Sequence, residues 1–276
     1  EAMADAPVAA GVRRIGGRPV GHEGASTGDR RGGGWSWEDL DWGYGTEVSA
    51  LSFADNRADV SLRPGERVGD PAVVEVRPDV GCLVISSDVV TAERRPEGAP
   101  EGADDEEDVS LVRAPGSNDA RLTGQVALGD TWEAGLAVLD PARCAAQVFR
   151  DVLAARGIRV SGRVATSSAP LPDGSRVLAS HEGPTVAEMV RVVNKVSQNL
   201  HAEMLLRLVG AKAKGEGSAE KGREAVAEVL RRLGVEDAGF SRVDGSGLAR
   251  TNVLTPRGLV GLLAAMDRHP HAAAFR

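Results

Sequence analysis

The sequence predicts an α+β fold, with a strand-rich first half followed by a helical second half. Two observations separate them. From about residue 10 to 165, short β-type runs such as residues 72–76 and 82–86 are punctuated by Pro64-Gly65, Pro78 and Gly81. From about residue 180 onward, apolar residues recur at helical spacing between capping signals. Composition agrees, since 42% hydrophobic and 26% charged residues are ordinary for a globular chain. At roughly 150 residues per domain, 276 residues allow about two units. They are expected at residues 1–165 and 166–276.

Within the first half, residues 94–108 are Pro, Gly and acid with almost nothing to bury, so a solvated surface loop is expected. Its acid run lacks the spacing and glycine of a calcium loop. A helix is expected from Pro141, in its first turn, to about residue 156, ended by Gly157. In the second half, Thr185 and Glu188 have capping-box spacing ahead of the stripe Val186, Met189, Val190 and Val193. Leu200, Met204, Leu205 and Leu208 begin a second helix, expected to end near Gly210. Ser218 caps a third, with Val226, Val229, Leu230 and Leu233 before Gly234. Thr255 and Pro256 open a fourth, carrying Leu259, Leu262, Leu263 and Met266.

Several function classes are excluded. A net charge of −7 with no concentrated basic face argues against nucleic-acid binding. The longest apolar run, residues 259–266, is far short of the roughly 18 to 20 residues of a membrane span. Two cysteines, Cys82 and Cys144, allow at most one disulfide and no Cys-built metal site. The five histidines show no metal spacing on a common helix face. The first residues lack a secretory signal, and both ends read as cuts through a longer protein.

Chemistry concentrates between the first two helices of the second half, where Asn194-Lys195-Val196-Ser197-Gln198-Asn199 places a Ser and an Asn two apart in a short turn. Val243-Asp244-Gly245-Ser246-Gly247-Leu248-Ala249-Arg250 follows as a Gly-rich turn before the capped helix at Thr255. Residues 194–206 and 243–248 together closely resemble the low-molecular-mass penicillin-binding proteins of the D-alanyl-D-alanine carboxypeptidase/endopeptidase type. The likeness is strong over residues 180–266 and weaker through the first half. It implies part of a penicillin-binding/β-lactamase-like catalytic domain with inserted strand-rich domains.

That family uses Ser-x-x-Lys as nucleophile and base, Ser-x-Asn, and Lys-Thr-Gly to hold the substrate carboxylate. The resemblance implies that Ser197 relays protons near the Lys and leaving group, and that Asn199 bonds the substrate amide carbonyl and orients the Lys. Lys195 also matches, although a surface Lys at a helix end explains it equally. The chain has four lysines, Lys195, Lys212, Lys214 and Lys221, and none precedes Thr-Gly. Only Lys221 has a Ser three residues before it. That Ser218 follows the Ser-x-Asn instead of preceding it and suits an N-cap, so it is rejected as nucleophile. Ser246 is likewise read as a turn residue, because a G-x-S-x-G elbow needs Gly where Asp244 stands.

Five of the nine aromatic residues, Trp35, Trp37, Trp42, Tyr44 and Phe53, fall in one short segment. In relatives acting on diaminopimelate-containing peptidoglycan, an inserted loop reads the stem-peptide side chain, and Trp37, Asp39 and Tyr44 resemble it. Asp39 would pair the diaminopimelate amine and Arg250 its carboxylate through a bidentate fork, with Trp37, Tyr44 and Leu248 lining the aliphatic stem. A packing cluster that stabilises a Gly-rich loop is the alternative for the tryptophans.

The resemblance thus implies a serine-type D-Ala-D-Ala carboxypeptidase, placed outside the cytoplasmic membrane, with an export signal not in this chain. Peptidoglycan stem peptides are its implied substrates, and β-lactam antibiotics bind the intact protein. No cofactor is implied. Lacking Ser-x-x-Lys and Lys-Thr-Gly, the chain alone is expected to be inactive. A non-catalytic stem-peptide binding or scaffold protein is the alternative.

Overall fold

The computed structural model describes residues 2–94, 108–235 and 240–275, so the acidic loop expected at residues 94–108 lies, over 95–107, outside the described residues. The chain opens with α1 (Ala2–Ala9), β1 (Arg14–Ile15) and β2 (Val20–His22). Short 3₁₀ turns at Trp37–Asp41, Gly43–Gly45 and Ala54–Asn56 lead into β3 (Arg57–Arg63), β4 (Val73–Arg77), β5 (Val84–Ala92), β6 (Val109–Arg113), β7 (Asp119–Ala127) and β8 (Trp132–Ala137). After these come α2 (Pro141–Ala155), β9 (Arg159–Val160) and β10 (Ala165–Ser167). The rest is helical: α3 (Val186–Val196), α4 (Asn199–Lys214), α5 (Ala219–Arg232), α6 (Pro256–Asp267) and α7 (Ala272–Phe275). The α+β class read from the sequence is the observed one.

Strand β3 shows why a core forms here. Ala58, Val60 and Leu62 are buried while Arg57, Asp59, Ser61 and Arg63 point the other way, the alternation of a half-buried strand. It lies between β4 and β8, antiparallel to both. A second sheet has the order β5-β7-β6, with β5 parallel and β6 antiparallel to β7. The two sheets share one core of Val60, Leu62, Leu136, Val89, Leu122 and Val109. A fully buried Leu such as Leu62, Leu122 or Leu136 contributes about 1.5–3 kcal/mol. Cys144 of α2 is joined to Cys82 by a disulfide, Cα–Cα 5.6 Å, which ties α2 to that core. Parallel pairing of β1 with β9 and β2 with β10 brings residues 159–167 back beside the start of the chain.

The helix signals hold where they rest on caps. Thr185 Oγ1 accepts from Glu188 N and the Glu188 carboxylate accepts from Thr185 N at 2.7 Å, the reciprocal capping box. The Thr185 hydroxyl, 2.7 Å from the Glu188 carboxylate, and then the Thr185 N–H hold that carboxyl below its ordinary range. Ser218 Oγ accepts from Lys221 N, and Thr255 Oγ1 from Gly258 N. One boundary is corrected. Helix α4 runs through Gly210 and stops at Gly215, whose φ of 78° is the left-handed cap. Gly210 is instead a contact point, because a Cβ there would lie 2.7 Å from Gly222 N and one at Gly222 would lie 2.2 Å from Leu206 O. The missing side chains let α4 and α5 meet backbone to backbone.

The apolar stripes are also redistributed. The buried face of α4 is Leu200, Glu203, Leu206, Arg207 and Gly210, while Leu208 is exposed. Met189, Leu200, Met204, Leu205 and Leu208 line a cavity of about 480 Å³. Among the described residues, α3 buries none of its side chains, and α6 buries only Gly258.

Candidate active site

The turn between α3 and α4 carries the Ser-x-Asn. Ser197 closes α3 in the left-handed conformation, φ 56° and ψ 50°, and is exposed. Asn199 is the first residue of α4, and its Nδ2 donates to Tyr44 O at 2.9 Å. Gln198, between them, turns away: its Oε1 accepts from Leu200 N at 3.1 Å and its Nε2 donates to Asp55 Oδ2 at 3.1 Å. This divergence of the middle residue is what the Ser-x-Asn spacing implies. Lys195 is exposed in the last turn of α3.

A second anchor joins α4 to the Gly-rich turn. Glu203 is fully buried, and its Oε1 accepts from Gly245 N at 2.8 Å and Ser246 N at 2.9 Å. The turn is organised around Asp244, whose carboxylate accepts from Trp35 Nε1, Ser246 Oγ, Gly247 N, Ala249 N and Asn252 Nδ2. Burial raises the Asp244 carboxyl, but the bonds from Ala249 N, Asn252, Gly247 N and Trp35 outweigh it and the group ends below its ordinary range. Arg250 follows directly, exposed, with Leu248 half-buried beside it.

The aromatic segment is drawn to the same turn. Trp35 Nε1 reaches Asp244 Oδ2 at 2.9 Å across 209 positions of sequence. Gly34, at φ +76°, packs so closely that a Cβ would stand 2.8 Å from Thr251 Oγ1. Asp39 accepts from Ser36 N at 3.1 Å and from Tyr44 OH at 3.5 Å. The choice between packing and an open loop divides residue by residue. Trp42 packs on the core of the sheets and bridges Leu136, and Trp35 ties the loop down, whereas Trp37 is 77% exposed and Tyr44 48% exposed. Hydrogen bonds thus join Asn199 to Tyr44 and Tyr44 to Asp39, and the loop that carries them is tied separately, through Trp35, to Asp244 in the turn bearing Leu248 and Arg250.

The rejected nucleophiles are otherwise engaged. Ser218 is buried as the cap of α5, and Lys221 Nζ donates to Glu224 Oε1 at 2.8 Å. Ser246 Oγ donates to Asp244 Oδ2 at 3.1 Å within the turn. Among the described residues no group of three or more His, Cys, Asp or Glu side chains is placed to hold a metal ion.

Two buried ionisable residues of α4 escaped the sequence reading. Glu203 and Arg207 are both buried, and Arg207 donates to Ser26 Oγ at 3.1 Å, Thr27 O at 2.9 Å and Asp29 O. Desolvation lowers the Arg207 guanidinium from its ordinary value against the opposing pull of Glu203 and Asp29. The available signal was Glu203 in the stretch Asn-Leu-x-Ala-Glu, which formed part of the quoted resemblance.

A model of the D-Ala-D-Ala carboxypeptidase 3 (S13) family matches residues 1–276. The chain belongs to that family. Membership extends the likeness seen at residues 180–266 through the whole strand-rich half. Among curated relatives, the D-alanyl-D-alanine carboxypeptidase of Actinomadura sp. (strain R39) is 30% identical over 283 residues, covering 100% of this chain and 51% of that protein. The D-alanyl-D-alanine carboxypeptidase DacB of Haemophilus influenzae is 24% identical, over 92% of this chain and 51% of its own. The crystal structure of penicillin binding protein 4 (dacB) from Haemophilus influenzae superposes with a TM-score of 0.83 at 21% identity, covering 99% of this chain and 58% of that one. The fold is thus the penicillin-binding one that the resemblance implied. The chain spans about half the length of these curated relatives.

Proposed function

We propose that the chain supplies the Ser-x-Asn and stem-peptide-reading parts of a serine-type D-Ala-D-Ala carboxypeptidase acting on peptidoglycan. In this reading residues 166–276 are catalytic-domain structure and residues 1–165 are inserted, strand-rich structure carrying the loop near 35–53. The observation that carries it is the Asn199 Nδ2 to Tyr44 O bond, which sets one member of the motif against the aromatic loop. An amide nitrogen has two N–H groups, so this bond commits one and the second is available to a substrate carbonyl. Ser197, exposed at the end of α3, relays the proton between the base and the departing D-Ala amine. Asp39 pairs the amine of diaminopimelate, Arg250 its carboxylate, and Trp37, Tyr44 and Leu248 wall the aliphatic stem.

The acyl transfer itself needs a serine whose proton a neighbouring lysine accepts. In that step the serine oxygen bonds to the carbonyl of the D-Ala-D-Ala bond, D-Ala leaves with the proton, and water then cleaves the ester. The four lysines of this sequence offer Ser218 and Lys221 alone at the required spacing, and the bonds to Lys221 N and Glu224 support a capping role for that pair. The same observation favours a second reading, in which these residues bind stem peptides without turnover. β-Lactams are proposed partners of the intact enzyme, a penicillin binding protein 4 from Haemophilus influenzae having been crystallised with one. The disulfide, together with membership of this family, supports placement outside the cytoplasmic membrane. Incubation of the chain with a fluorescent penicillin, followed by mass spectrometry, tests the assignment. No covalent adduct is expected, and an acylated serine within these residues overturns it.

A further inference from the structure

We infer that Asp55 is a positioning residue for the Ser197–Asn199 turn. It lies in a run of three non-glycine residues, Ala54, Asp55 and Asn56, all left-handed at φ 49°, 52° and 55°. Such a run is unfavourable for L-residues and persists only when its surroundings enforce it. Asn56 does so. Its side chain is buried, Nδ2 donates to Glu47 O at 2.9 Å and Ser52 Oγ at 3.2 Å, and its carbonyl accepts from Val138 N at 2.8 Å. The loop is therefore pinned to the end of β8, and Asp55 is presented from it.

The Asp55 carboxylate spans the first turn of α4. Oδ2 accepts from Gln198 Nε2 at 3.1 Å, and Oδ1 lies 3.0 Å from His201 Nε2. Gln198 is the residue between Ser197 and Asn199, and its other amide atom, Oε1, caps Leu200 N. With both ends of that side chain committed, the backbone that carries Ser197 and Asn199 is held from one side by Asp55. Tyr44 O holds Asn199 from the other. One stretch of chain, residues 44–55, thus clamps the motif at two points, and the carboxylate at a helix start adds a favourable dipole interaction.

The inference rests on Ser197 and Asn199 being the motif residues of the proposed function, but its test needs no catalysis. Asp55→Gly keeps the left-handed backbone at no steric cost and removes only the carboxylate. Asp55→Asn also tolerates that conformation and keeps one acceptor oxygen. Amide hydrogen exchange at Leu200 and the NMR shifts of the Asn199 side-chain amide are read in the 276-residue chain, with thermal unfolding alongside. In Asp55→Gly, Leu200 exchange is expected to quicken by about tenfold or more, from loss of a hydrogen bond to a charged acceptor. The Asn199 signals should move, the unfolding temperature should not fall, and Asp55→Asn should recover part of the effect. Gln198→Ala removes the Leu200 acceptor itself along with the Asp55 bond, so it should quicken Leu200 exchange at least as much as Asp55→Gly does. Unchanged Leu200 exchange and Asn199 shifts in Asp55→Gly, or acceleration spread equally over core amides, overturn the inference. If a stem peptide fails to bind the wild-type chain, the functional reading falls while the Asp55 result stands.

Discussion

Replacing Asp244 by alanine should loosen the turn that joins the aromatic loop to the helical half. Its carboxylate gathers Trp35 Nε1 at 2.9 Å, Ser246 Oγ at 3.1 Å, Gly247 N at 2.9 Å, Ala249 N at 2.7 Å and Asn252 Nδ2 at 2.6 Å. A hydrogen bond to a charged acceptor is worth about 1.5–3 kcal/mol, and such bonds do not add in full. The Trp35, Ser246 and Asn252 side chains can turn to water, while the Ala249 N–H is buried and loses its partner outright. A cost of about 3–5 kcal/mol follows, with Asp244→Asn near half of it. The pH dependence has a definite sign. The folded-state pKa of Asp244 lies below its ordinary value of 3.8, so its contribution is complete above the unfolded-state pKa and is lost as pH falls through the folded-state one. Urea unfolding followed by tryptophan fluorescence, from about pH 7 to about pH 3, reads both effects. An Asp244→Ala cost below about 1 kcal/mol, or the same acid dependence in Asp244→Asn as in wild type, would refute this account of the turn.

Two further perturbations probe what Asp244 does not reach. Glu203→Ala removes the acceptor for Gly245 N and Ser246 N and the stronger of the two carboxylate attractions on the buried Arg207, so a loss of about 3–5 kcal/mol is expected in thermal or urea unfolding. Glu203→Gln, which keeps an acceptor oxygen, should cost less. Reduction of Cys82–Cys144 opens a span of 62 residues and should destabilise by roughly 4 kcal/mol on the chain-entropy scale. An unfolding temperature indifferent to reductant would mean that the bridge is not made in solution.

Local signals carried much of this architecture. Thr185, Ser218 and Thr255 cap their helices because a side-chain oxygen beside an unsatisfied backbone N–H is a local interaction, decided within three residues. The helix from Pro141 was legible for a similar reason. What was not legible depends on distant chain. Gly210 looks like a helix stop until Gly222 is set against it, and Glu203 looks solvated until Gly245 and Ser246 donate to it. Trp35 and Trp42 belong to packing and Trp37 to the surface, a division made by Asp244 and Leu136, neither of which lies near them in sequence. The left-handed run at residues 54–56 has no glycine to announce it, because tertiary bonds through Asn56 impose it.

That Ser-x-Asn and the stem-peptide reader form one site is tested most directly by titrating a synthetic stem peptide carrying diaminopimelate into the chain and following backbone amide shifts. Saturable shifts should appear together at Tyr44, Asn199, Leu248 and Arg250. Arg250→Ala should weaken binding about tenfold or more, the loss expected of a charge-assisted fork. Shifts confined to one segment, or wild-type affinity in Arg250→Ala, would contradict the account.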